Sequence, residues 1–244
     1  MKHIDLNCDM GEGMPNDAEL MPLIRSANIA CGFHAGNSDT IRDTIALALQ
    51  HGVHIGAHPS FRDRENFGRQ EMHLTADKVY AIVIEQLIRL DMAAREQGAT
   101  LHHVKPHGAL YNMAARDAVL ARTIAQAVHD FGPGLILYGL SGSCMIDEAQ
   151  TLGLATASEV FADRTYTDEG QLTPRSQPHA LITDEKKCLQ QVEAMTRGHV
   201  TTRSGKVIPI VADTICIHGD GPSAVTLAHA IHHYLQTQAL ANTD

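Results

Sequence analysis

Short apolar runs alternate along this chain with longer segments in which apolar residues recur at helical spacing. Such alternation is typical of repeated β-strand and α-helix units that build a parallel sheet. We predict strands at residues 3–8, 28–31, 53–57, 101–105, 135–138, 155–160, 207–210 and 215–218. The predicted helices cover residues 17–26, 38–51, 76–97, 115–130, 144–152, 184–197 and 222–238.

The connections between these elements differ in length according to their direction. Gly52, Gly98 and Gly153 each follow a predicted helix at once, where a left-handed residue ends a helix, so the turns into the strands are tight. Polar segments 59–74 and 161–178 follow strands instead. This asymmetry favours an α/β fold of the TIM-like (β/α)-barrel type in one domain, residues 1–244, with seven strands as one form of it. An open doubly wound sheet is the competing architecture.

Charge and composition exclude several classes of partner. The 244 residues include 19 Lys and Arg against 28 Asp and Glu, for a net charge of -9. This balance argues against nucleic acid and anionic membranes as partners. No apolar run approaches the ~20 residues that span a bilayer, and the N-terminus lacks a signal-peptide core. Because the five cysteines form no C-x-x-C pair, we expect reduced thiols in a cytoplasmic protein.

Polar side chains occupy the first predicted strand and the turn after it. Asn7 and Asp9 lie on one face of the strand, and Glu12 follows between two glycines. Acidic side chains in a core strand are costly unless they are paired, bind metal or take part in chemistry. We therefore take Asp9 and Glu12 as candidate catalytic residues and Asn7 as a candidate substrate ligand. Hydrogen-bonded structural carboxylates are the alternative.

Two histidines stand at or just after the next two predicted strands. His34 lies in a glycine-spaced loop that also contains Asn37, and His58 ends its strand. Either histidine is a candidate general base, and Asn37 is a candidate substrate ligand. Asp9, His34 and His58 together form a candidate site for a divalent metal. The alternative for a loop histidine is a hydrogen bond to a backbone carbonyl.

Lys105 and His107 flank a proline at the end of another predicted strand. A lysine is seldom buried for stability alone. Lys105 is therefore a candidate to stabilise a developing oxyanion or a phosphoryl group, and His107 a candidate to transfer a proton. Pairing of Lys105 with an acidic residue of the first strand is the alternative, and it does not exclude a catalytic role.

The last third of the chain adds two arginines and one possible acid–base pair. Arg164 and Arg175 carry the planar guanidinium that grips a carboxylate at two points, although loop arginines often form only surface ion pairs. His218 and Asp220 alternate with glycines before the last helix, as an oriented acid–base pair or as a structural turn. No G-x-x-x-x-G-K-[ST] motif occurs, so we expect no Walker-type ATP site.

Five of these segments together resemble the signature blocks of the LamB/YcsF family. They are DLNCDMGEG from residue 5, ANIACGFHAG from residue 27, GAHPS from residue 56, KPHGALYN from residue 105 and HGDG from residue 218. The resemblance runs in order from residue 5 to about residue 235. Five linked blocks make it far more specific than any single motif.

The resemblance implies a barrel similar to the glycoside hydrolase/deacetylase superfamily and the conversion of 5-oxoproline to L-glutamate coupled to ATP hydrolysis. It also implies two partner subunits, B and C, with ATP as a co-substrate bound with or by those partners. Two alternatives stay open. One is a metal-dependent, deacetylase-like amidohydrolase that acts alone, and the other is a non-catalytic subunit that binds the lactam or regulates its partners.

Overall fold

Seven parallel strands close into a barrel in the order β1-β2-β3-β4-β5-β6-β9. The structure is a computed structural model, and it describes residues 4–219, 221 and 223–241. The strands are β1 (Asp5–Met10), β2 (Ser26–Ala30), β3 (His54–His58), β4 (His103–Val104), β5 (Ile136–Leu140), β6 (Ala155–Phe161), β7 (His199–Thr201), β8 (Val207–Pro209) and β9 (Thr214–Ile217). The predicted barrel is therefore confirmed, in its seven-stranded form, and the open sheet is excluded.

Helices surround this barrel and connect its strands. They are α1 (Asp17–Leu20), which continues as a 3-10 turn at Met21–Leu23, then α2 (Ser38–His51), α3 (Ala76–Glu96), α4 (Gly108–Ala114), α5 (Ala118–Phe131), α6 (Cys144–Thr151), α7 (Glu185–Thr196) and α8 (Ala224–Ala241). Gly52, Gly98 and Gly153 adopt φ values of 65°, 75° and 75°, as predicted for the turns after helices. None of the described helices is long and apolar enough to cross a membrane.

Three predicted elements differ from the structure. The run at 207–210 forms β8, which pairs antiparallel with β7 in a hairpin outside the barrel. The predicted helix at 115–130 is preceded by a separate helix, α4, and begins only at Ala118, where the Asp117 side chain caps it. The predicted helix at 17–26 ends early, because residues 26–30 form a fully buried strand whose apolar run periodicity alone cannot distinguish from a helix.

The interior of the barrel carries a hydrogen-bonded polar belt. Asn28 Nδ2 donates to Asn7 Oδ1 at 2.8 Å and to Asp9 Oδ1 at 2.9 Å. Asn7 in turn donates to Thr214 Oγ1 at 2.7 Å, which links β1 to β9. On the other side, His103 Nε2 donates to Asn28 Oδ1 at 2.8 Å, because the amide oxygen can only accept. Buried polar groups satisfied in this way position one another, and here they set the orientation of Asp9.

The buried imidazole of His103 makes stability depend on pH. Burial, and then the charges of His102 and Lys105, hold the pKa of His103 well below its usual range. The unfolded chain therefore takes up the proton first as pH falls below about 6.5, and stability present above that pH is lost on the way down. We predict that His103→Gln flattens this loss by up to about 1.4 kcal/mol per pH unit, measured by urea unfolding from pH 7 to pH 5.

His129→Gln is the control for this comparison, because the side chain of His129 on α5 is 40% exposed. Its unfolding free energy should follow that of the unmodified protein across the same pH range. Equal pH slopes for His103→Gln and the unmodified protein would contradict a buried, neutral His103.

Candidate active site

A cavity of about 410 Å³ opens at the carboxyl ends of the barrel strands. Most of the residues predicted from sequence line it, namely Asp9, Glu12, His58, Lys105, His107, Arg164, Arg175 and His218. This is the end of the barrel at which parallel strands present their functional loops. The barrel thus brings side chains from residue 9 to residue 218 into one space.

Lys105 lies at the floor of the cavity and is only 2% exposed. Its Nζ is 2.9 Å from Asp9 Oδ1 and 2.8 Å from Glu159 Oε1. Asn7 Oδ1 at 3.3 Å and Cys216 Sγ at 3.1 Å complete its surroundings. Burial alone would lower the pKa of Lys105, but the charge of Asp9 leads the opposing effects and the pKa is raised well above its usual value. Lys105 is therefore a charged ammonium at neutral pH.

These contacts revise the role predicted for Lys105. An ammonium has three hydrogens, and four acceptor atoms of the protein already surround this one. Contact with an oxyanion would require Nζ to release one of them. The structure instead gives Lys105 the positioning role that was the alternative, since it holds Asp9 and neutralises two buried carboxylates.

Asp9 connects this ion cluster to the histidines. Its Oδ1 accepts from Lys105 and Asn28, which leaves Oδ2 directed at His58, with 3.3 Å between Oδ2 and Nε2. Burial raises the pKa of Asp9, but the charges of His58 and Lys105 outweigh it and hold the pKa well below its usual range. Asp9 is thus an ionised carboxylate in a nearly dry environment.

Three imidazoles pack together above Asp9. His58 and His107 meet edge to face, with Nε2 and Nδ1 2.9 Å apart. His34 stacks on His107 with 3.8 Å between ring centroids, and its Nε2 is 3.1 Å from Glu12 Oε1. Burial lowers the pKa of both His34 and His107 well below the usual range, so both are neutral at neutral pH. Glu12 and the three histidines each offer one ligand atom within 4.8 Å of the others.

His218 forms a pair with a carboxylate that was not predicted. Its Nδ1 lies 2.9 Å and 3.0 Å from the two oxygens of Asp163, and its backbone N–H donates to the same carboxylate. Burial raises the pKa of Asp163, but the charge of His218 and its hydrogen bonds hold the pKa below the usual value. Asp220, the partner predicted from sequence, lies outside the described residues. The pair closes where β6 meets β9, and it leaves Nε2 of His218 as the second ring nitrogen.

Two arginines form the opposite side of the cavity. Arg164 is 4% exposed and donates through Nη2 to Thr173 O at 2.6 Å. Within the described part of the chain its Nε has no hydrogen-bond partner. Burial, and then the charge of Arg175, lower the pKa of Arg164 to about 10. Two guanidinium groups that repel one another in a buried wall favour an anion between them.

Two predicted substrate ligands lie away from the cavity. Asn37 caps the first turn of α2, and its Oδ1 accepts from the backbone N–H groups of Asp39 and Thr40. Asn7 belongs to the polar belt inside the barrel, where its amide is committed to Thr214 and Asn28. Both side chains support the site through the backbone and the belt. Asparagine is the residue type that helix caps favour, which is the signal that distinguishes Asn37.

Comparison with known proteins adds independent support for the site and the fold. A model of the LamB/YcsF family matches residues 4–243. The chain belongs to the LamB/YcsF family. The 5-oxoprolinase subunit of Bordetella pertussis that carries the letter A is 53% identical to this family member, over 98% of this chain and 97% of the relative. A lactam utilization protein from Thermus thermophilus superposes with a TM-score of 0.90 at 43% identity, over 98% of both chains.

A more distant likeness concerns the fold alone. A family 4 carbohydrate esterase from Streptomyces lividans superposes on this LamB/YcsF barrel with a TM-score of 0.51 and 11% identity, over 97% of this chain and 89% of the esterase. The expected similarity to the glycoside hydrolase/deacetylase superfamily is consistent with it. The names of both LamB/YcsF relatives refer to a lactam, which concerns those proteins and frames the proposal below.

Removal of the Lys105 ammonium tests its role as counter-charge. In Lys105→Met, two buried carboxylates lose their partner, and we predict that the free energy of unfolding falls by about 3–5 kcal/mol, measured by chemical denaturation. Lys78→Met on the exposed surface of α3 is the matched control and should change it by less than about 0.5 kcal/mol. Equal effects of the two substitutions would show that Lys105 does not stabilise the carboxylates.

Proposed function

We propose that this chain is the ring-opening subunit of a cytoplasmic 5-oxoprolinase. In this proposal it hydrolyses the cyclic amide of 5-oxoproline to L-glutamate, coupled to hydrolysis of ATP, in a complex with subunits B and C. The Bordetella pertussis relative bears the name of a lettered 5-oxoprolinase subunit, which supports the substrate and the complex. Five free cysteines, four of them buried, are consistent with a reducing compartment.

The observation that carries the proposal is the His218–Asp163 pair beside the arginine wall of one cavity. Because the Nδ1 hydrogen of His218 is directed at Asp163, Nε2 is the nitrogen that accepts a proton. A histidine oriented by a carboxylate is a general base, and it would take a proton from water as the water attacks the lactam carbon. The ionised Asp163 stabilises the imidazolium that results.

The arginine wall supplies the site for the acid group of the substrate. 5-oxoproline is a small lactam with one carboxylate next to the ring nitrogen. In the proposal Arg164 and Arg175 bind that carboxylate, which the unpartnered Nε of Arg164 favours. Fixing this end would hold the lactam carbonyl toward His218, and such positioning supplies much of the rate of an enzymatic hydrolysis.

ATP is proposed because the lactam itself is a poor electrophile. An unstrained five-membered amide resists hydrolysis both in rate and in equilibrium. Transfer of the terminal phosphoryl group of ATP to the amide oxygen makes the ring carbon electrophilic and releases ADP. Water then adds to that carbon, and cleavage of its bond to nitrogen opens the ring. Since the sequence has no Walker motif, ATP would bind with or through the partner subunits.

A reconstituted assay tests the proposal. Glutamate formation from 5-oxoproline and ATP is measured for this chain alone and for its mixture with subunits B and C. We predict activity in the mixture only. His218→Asn in the same mixture should lower kcat by about 10²–10⁴-fold, because the water loses its base while the arginine wall remains.

His129→Asn is the matched control, since His129 also contacts a carboxylate, Asp130, but on the outside of the protein at α5. It should leave kcat unchanged. Full turnover by His218→Asn would contradict the catalytic proposal and favour a subunit that only binds the lactam. No glutamate from a folded, competent mixture would contradict the choice of substrate.

A further inference from the structure

The contact between His58 and His107 is unusual in its proton accounting. His58 Nδ1 lies 2.7 Å from the carbonyl oxygen of Lys105, and His107 Nε2 lies 2.8 Å from that of Phe67. Because a carbonyl oxygen can only accept, both of these ring nitrogens carry a hydrogen. In the neutral rings the other two nitrogens therefore present lone pairs, and they face each other at 2.9 Å. Two facing lone pairs repel, so the arrangement calls for a cation between them.

Carboxylate oxygens lie on the same side of this contact. Asp9 Oδ2 is 3.3 Å from His58 Nε2, and Glu12 Oε1 is 3.4 Å from His107 Nδ1 and 3.9 Å from His58 Nε2. Four ligands held about 2.1 Å from one ion in a tetrahedron lie about 3.4 Å from one another. The observed separations of 2.9–3.9 Å bracket that value. The side chains involved are at most 8% exposed.

From this geometry we infer a binding site for a divalent transition-metal ion formed by Asp9, Glu12, His58 and His107. Two imidazole nitrogens and two carboxylate oxygens suit zinc. The backbone carbonyls that accept from His58 and His107 are the outer hydrogen bonds that fix the tautomer of metal-binding histidines. The inference concerns binding alone and does not depend on the ring-opening reaction.

His34 belongs to the support of this site, which revises the set of Asp9, His34 and His58 predicted from sequence. Its ring is parallel to that of His107 within 6°. Lone pairs in two parallel, stacked planes cannot converge on one ion. His34 Nε2 instead donates to Glu12 Oε1 at 3.1 Å, with Nδ1 accepting from Ser60 Oγ at 2.9 Å. His34 is thus a positioning residue for the Glu12 carboxylate.

The position of the site gives the ion a chemical use. All four ligands line the same cavity as His218 and the arginine wall. A metal ion with one position open to the cavity polarises a carbonyl or phosphoryl oxygen that reaches it. Such an ion would supply the positive charge that the saturated ammonium of Lys105 does not offer.

Zinc binding to the full chain tests the inference directly. The protein is stripped with a chelator and titrated with Zn²⁺ by calorimetry, and bound metal is counted by elemental analysis after dialysis. One ion per chain is expected. His58→Gln and His107→Gln should each weaken binding by at least about 100-fold, and His34→Gln by about 10-fold, because loss of an outer hydrogen bond costs less than loss of a ligand.

His102→Gln is the matched control, because His102 and His103 also bring two ring nitrogens within 3.2 Å, between Nδ1 atoms. It should bind zinc as the unmodified protein does, and circular dichroism should show that every variant is folded. Stripped, folded protein that binds no zinc would overturn the inference and leave a proton shared by His58 and His107. Binding that survives His107→Gln but is abolished by His34→Gln would overturn the ligand set.

Discussion

The ammonium of Lys105 is the interaction on which the rest of the site depends. It lies among Asp9, Glu159 and Asn7, where each carboxylate would be prohibitively costly without it. With one oxygen of Asp9 fixed by this contact, the other faces His58. A single buried charge thus sets the protonation of the floor of the cavity and the direction in which its reactive side chains point.

Closure of the barrel converts that local arrangement into one site. The β6–β9 pairing brings Asp163 to His218, which are 55 positions apart in sequence. β1 lies between β2 and β9, so Asp9 can contact both the histidines and the ammonium. The chemical groups therefore divide into two neighbouring sets, an oriented histidine base beside two arginines and a cluster of imidazoles and carboxylates. An ATP-dependent hydrolysis would use the first set on the substrate and the second on charge that develops at oxygen.

Residues at strand ends were predictable, and their partners were not. Short apolar runs followed by polar residues indicate the carboxyl ends of parallel strands, and this placed Asp9, His58, Lys105 and His218 correctly around one mouth. Choosing between Asp163 and Asp220 as the partner of His218 requires the register of β6 against β9, which local sequence does not encode. For the same reason the β7–β8 hairpin, a local apolar run like any other, was predicted as part of the sheet. The capping role of Asn37 was open to prediction from its residue type, but the glycines around it favoured a ligand loop.

A crystal structure of the chain with 5-oxoproline bound tests the central claim most directly. The account predicts that the carboxylate of the lactam lies between Arg164 and Arg175. It also predicts the lactam carbonyl carbon within reach of a water held by His218 Nε2, at about 3–3.5 Å from that water. A lactam bound outside this cavity, or inside it with its carboxylate directed at Asp9 and Glu12, would contradict the account.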